Sequence, residues 1–95
     1  MVEAPEVWFL FGSFIHQDFL TDYPDIVSGI EYIYYLLSNS DKEKLFLFLE
    51  ELQNGEYSWE YKLKLWEESG AQFTVAGKDI DLLYNEVFKT IQKLR

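Results

Sequence analysis

Apolar positions recur along this 95-residue chain with the period of helices, in segments separated by glycine, proline, serine and asparagine. The stretch PEVWFLF, residues 5–11, reads as a short helix. Pro5 suits the first helical position, Glu6 the first turn, and Gly12 is placed to close the helix in a left-handed conformation. Ser13 to Thr21 read as irregular or briefly helical. A second helix opens at TDYPD, with Thr21 or Asp22 as its cap and Pro24 and Asp25 in its first turn. Its apolar face is Ile26, Ile30, Ile33 and Leu37, flanked by Val27 and Tyr34, and Asn39 ends it. Tyr32 and Tyr35 fall on the far side, with Asp25, Ser28 and Glu31.

The second half repeats this grammar. SDKE, with Ser40 and Glu43, reads as the capping box of a third helix. Its buried stripe is Leu45, Phe48, Leu49 and Leu52, and QNG stops it at Gly55. Ser58 starts a fourth helix with Trp59, Leu63 and Trp66 on one face and Gly70 at its end. AQFTVAGKD reads as an extended loop or short bridge. From Asp79 or Gly77 a last helix runs to the C-terminus on Ile80, Leu83, Tyr84, Val87, Ile91 and Leu94. Lys89, Lys93 and Arg95 lie in its last turns, where cations complement the helix dipole. The expected fold is all-α, a compact single domain over 1–95 of about five short helices, with short connections that make sequential helices neighbours.

Charge adds what periodicity leaves out. The formal net charge is −9, and it is unevenly placed. Residues 1–41 hold seven acids and no lysine or arginine, whereas residues 42–95 hold ten acids and eight bases. A field of one sign repels nucleic acid and anionic lipid and attracts basic partners. Lys42/Lys44 and Lys62/Lys64 sit among acids on helix faces and make no basic patch, so nucleic-acid binding is not expected. No run approaches the roughly 18 apolar residues of a membrane span, and the N-terminus lacks the basic region of a secretory leader, so a cytoplasmic protein is expected. Without cysteine, disulfides and thiolate metal sites are excluded. Adjacent acids such as Glu50 and Glu51 diverge on a helix, and no calcium-loop spacing occurs, so neither a metal nor a cofactor is expected.

One stretch concentrates candidate chemistry. FGSFIHQDF, residues 11–19, holds the chain's sole histidine, His16, two residues before Asp18. As an enzyme site, His16 would be a general base oriented by Asp18 and acting on Ser13 or a water. Two residues apart share a face on an extended strand but diverge by about 200° on a helix. No nucleophile elbow or phosphate-binding glycine loop accompanies the pair. The alternative, favoured here, is that His16, Gln17 and Asp18 form a structural motif bonding nearby backbone or capping the next helix. Aromatic residues make up 19% of the chain, more than so small a core needs, which leaves rings for a contact surface. By charge and position the candidate partner contacts are Asp22, Tyr23, Asp25, Glu31, Tyr32 and Tyr35. The competing placement packs Tyr32 and Tyr35 against the first helix or the 71–77 loop.

The run Phe14-Ile15-His16-Gln17-Asp18-Phe19, soon followed by a capped helix, resembles the small all-helical immunity proteins of bacterial contact-dependent growth inhibition. Glu50-Glu51-Leu52 on the third helix, then Gly70, Phe73 and Gly77, fit the same outline, so the resemblance spans most of the chain. It implies a non-enzymatic inhibitor that binds one cognate toxin domain in the cytoplasm of the producing cell. Many such toxins are nucleases with basic surfaces, which an acidic inhibitor would occupy in place of phosphate. The motif would then belong to the fold, since partner-facing residues differ with each toxin. Two other readings compete: a generic acidic adaptor, and a small hydrolase using His16 and Asp18.

Overall fold

A computed structural model of the chain describes residues 3–15, 25–72, 75 and 77–95. Among these, five helices and no strand occur: α1 (Glu6–Ser13), α2 (Ile26–Leu36), α3 (Asn39–Asn54), α4 (Trp59–Glu68) and α5 (Asp79–Leu94). The all-α expectation holds, and the first, fourth and fifth helices lie close to where periodicity puts them. No helix among the described residues is long and apolar enough to cross a membrane.

Several boundaries differ for local reasons. Pro5 is the N-cap of α1 rather than its first residue, and α1 continues through Gly12 to Ser13. Gly12 is not left-handed; positive φ occurs among the described residues at Gly70 and Gly77 only. Its glycine is required by close approach instead, because a Cβ there would collide with the backbone carbonyl and side chain of Ser69. α2 begins later than expected, with Asp25 as its N-cap. It also ends earlier, at Leu36 with Leu37 as C-cap, so Asn39 opens α3 rather than closing α2. The α3 cap is Ser38, whose hydroxyl accepts from the Asp41 N–H at 3.1 Å, and the SDKE box therefore lies inside the helix. Ser58 caps α4 as expected, accepting from the Tyr61 N–H at 3.2 Å. Ile15 lies outside any helix, and its carbonyl accepts from the Gln72 N–H at 2.7 Å, tying the end of α1 to the segment after α4.

Aromatic packing organises the core around Trp8. Its ring lies 5.5 Å from Phe11, 5.1 Å from Phe48, 6.0 Å from Trp66 and 5.8 Å from Tyr84. One residue of α1 thus joins α3, α4 and α5. Buried indole N–H groups need acceptors, and the Trp8 Nε1–H donates to the Leu65 carbonyl at 2.8 Å. The Tyr84 hydroxyl donates to the Lys62 carbonyl at 2.9 Å. Burial pushes the Tyr84 hydroxyl pKa well above the ordinary tyrosine range, and the nearby Tyr61 adds to the shift. The predicted stripes are buried: Leu45, Phe48, Leu49 and Leu52 on α3, and Ile80, Leu83, Tyr84, Val87 and Ile91 on α5, with Leu94 half-buried. On α4 the deepest residues are Leu65 and Trp66, and Trp59 and Leu63 are half-buried, so the face is rotated from the expected one.

Candidate protein-interaction face

The outer face of α2 is the candidate site. The helix starts because the Asp25 carboxylate accepts from the Ser28 N–H at 2.8 Å, filling one of the unpaired donors of the first turn. Gly29, Ile30, Ile33 and Tyr34 are buried, as is Leu37 beyond the last turn, and α2 packs on α5. At 100° per residue, Asp25, Ser28, Glu31, Tyr32, Tyr35 and Leu36 fall within an arc of about 140° opposite that buried face. Tyr32 is 50% exposed and Tyr35 67% exposed, and Leu36 is exposed beside them. Both rings thus present at least half of their surface on the side away from the core.

The face is graded along its length. Carboxylate stands at its N-terminal end and aromatic surface at its C-terminal end, about 10 Å away over the seven residues from Asp25 to Tyr32. Asp25 is exposed, but one of its oxygens serves its own helix, so it acts as a cap that also carries charge. Glu31 is half-buried at the edge of the arc. Tyr35 meets Tyr34 edge-on with centroids 6.3 Å apart, and the Lys42 ammonium lies 5.0 Å from the centroid of the Tyr34 ring. Lys42 comes from the start of α3, so this cation flanks the core side of α2 rather than its exposed arc.

Of the residues singled out by sequence, the structure brings Asp25, Glu31, Tyr32 and Tyr35 together on one face. Asp22, Tyr23, His16, Gln17 and Asp18 lie outside the described residues. Ser13, the candidate nucleophile, is described: its hydroxyl donates to the Leu10 carbonyl at 2.6 Å, the ordinary back-bond of a serine in a helix. Sequence reasoning missed Leu36, which its period places beside Tyr32, and missed the exposed α1 residues Phe9 and Leu10. Among the described residues no group of three or more His, Cys, Asp or Glu is arranged to hold a metal ion. Comparison of the chain with protein-family models, with curated proteins and with solved structures gave no match.

Proposed function

We propose that this chain is an inhibitor of the immunity type, which neutralises a basic, nuclease-type toxin domain in the cytoplasm by forming a tight complex through the outer face of α2. The observation that carries this reading is the exposure of Tyr32 and Tyr35 on an arc shared with Asp25 and Glu31, within a 41-residue stretch that has no lysine or arginine. Exposed tyrosines supply large contact area at low entropic cost, and they are enriched among residues that dominate binding energy. Carboxylates beside them pair with lysine or arginine and speed the encounter with a positive surface. The likeness of the Phe14–Phe19 run to immunity proteins supports the same reading.

A complex of this kind buries about 1,200–2,000 Å² in total. Its encounter rate falls as salt rises above the ionic strength at which the screening length is about 10 Å. The test is isolation of the tagged chain from its native cells at low and high salt, followed by production of the captured protein with and without the chain. One stoichiometric basic protein that arrests growth alone, and is harmless with the chain, is the expected result. A captured protein that arrests nothing, or a broad set of weakly held proteins, favours the adaptor reading.

A further inference from the structure

A second candidate site is a groove of about 450 Å³ between the N-terminal segment, α1 and α4. That volume falls within the range of small-ligand sites, about 300–1,000 Å³. Its two walls are fixed to each other, because the Trp8 indole N–H of α1 donates to the Leu65 carbonyl of α4 at 2.8 Å. One wall offers the Phe9 ring, 46% exposed, and the other the Tyr61 ring. Tyr61 is held by stacking on Tyr57, centroids 5.5 Å apart, and the Tyr57 hydroxyl donates to the Glu51 carboxylate at 3.1 Å. Glu3 and Glu68 line the same groove against one ammonium, that of Lys64. Aromatic walls held in place beside two carboxylates favour a flat organic cation over an anion or a neutral apolar group.

The chain builds this chemistry once with its own residues. The Arg95 guanidinium lies 3.9 Å from the centroid of the Phe46 ring and pairs with the Glu43 carboxylate at 3.0 Å. We propose that the groove between α1 and α4 is a binding site for an arginine side chain of a basic protein segment, with the guanidinium on the Phe9 or Tyr61 ring and paired to Glu68 or Glu3. Lys64, which lines the same groove one turn before Glu68, is the built-in competitor for these carboxylates. The site is separate from the outer face of α2 and shares with the proposed function only the basic character of the partner.

The test is an amide-resolved NMR titration of the full chain with N-acetyl-arginine amide, with N-acetyl-lysine amide as the comparison and no partner protein present. Arginine amide is expected to shift residues 3–9 and 61–68 first and most, and lysine amide to shift them more weakly. Glu68→Gln should weaken arginine binding about threefold, and Lys64→Ala should tighten it by a similar factor. Both residues are exposed, so both variants fold, and their opposite signs separate a cation site from an anion site. Tyr61→Leu, which keeps the apolar wall but removes the ring, should weaken binding about two- to fivefold. Shifts that avoid the groove, shifts spread equally over α2 and the other acidic surfaces, equal response to lysine, or weaker binding after Lys64→Ala would each overturn the proposal. Failure here leaves the α2 reading intact, because that reading is tested by capture and growth.

Discussion

Helices α2 and α5 pack against each other and present similar inner faces, Ile30 and Ile33 on one and Ile80, Val87 and Ile91 on the other. Their outer faces differ. α5 turns Asp79, Asp81, Lys89, Gln92 and Lys93 to solvent, with Leu82, 70% exposed, as its large exposed apolar residue. Asp81 also pairs across to Lys62 of α4 at 3.1 Å. α2 turns out Tyr32, Tyr35 and Leu36, and its 11 residues carry the single charge of Glu31. A single exposed leucine is ordinary, whereas three large apolar side chains on one arc of a short helix are what the proposed contact surface rests on. Two helices with similar inner faces therefore differ in what they turn outward.

The core should respond most strongly to substitution. Trp8→Ala removes the ring that joins four helices and should cost about 3–5 kcal/mol of stability, read by urea or thermal unfolding. Gly12→Ala forces a methyl group into Ser69, and overpacking of this kind costs about 1–3 kcal/mol. Tyr84 sharpens the same point through pH. Its folded-state pKa is raised, so its contribution to stability is complete below the ordinary tyrosine value near 10 and is lost as pH rises above it. Unfolding followed between about pH 9 and 11 should show this decline, flattened in Tyr84→Phe. That variant also starts lower at neutral pH, by about 0.5–1.5 kcal/mol, because the hydroxyl bond to the Lys62 carbonyl is lost. On the outer face, Tyr35→Ala should change stability by about 0.5 kcal/mol or less, since a two-thirds exposed ring packs little.

Periodicity made the helices and most of their buried stripes legible, because burial repeats every three to four residues whatever the neighbour is. Boundaries were less legible where two capping signals compete. Ser38 and Ser40 each precede an acid by three residues; Ser38 caps the helix, directly after the buried Leu37. Local pattern marks Gly12 as a helix end, as glycine commonly is, but the glycine answers to close approach of Ser69, 57 residues away, which no local pattern carries. The α2 face was legible through the far-side spacing of Tyr32 and Tyr35. The α1–α4 groove was not, since Phe9 and Tyr61 meet only through tertiary packing and an apolar α1 offers no polar face to single out Phe9.

On the proposed reading, the outer face of α2 holds a basic partner while its inner face holds the fold. The most direct measurement compares the wild-type chain with Tyr32→Ser/Tyr35→Ser, each tagged and isolated from native cells, with unfolding curves run on both. The account predicts matching unfolding curves, and loss from the double variant of a single basic protein that the wild type retains. Truncating such anchors costs about 2 kcal/mol or more each, roughly a 30-fold loss of affinity per tyrosine. Retention of the same protein by a fully folded double variant would contradict the account and move the binding surface off α2.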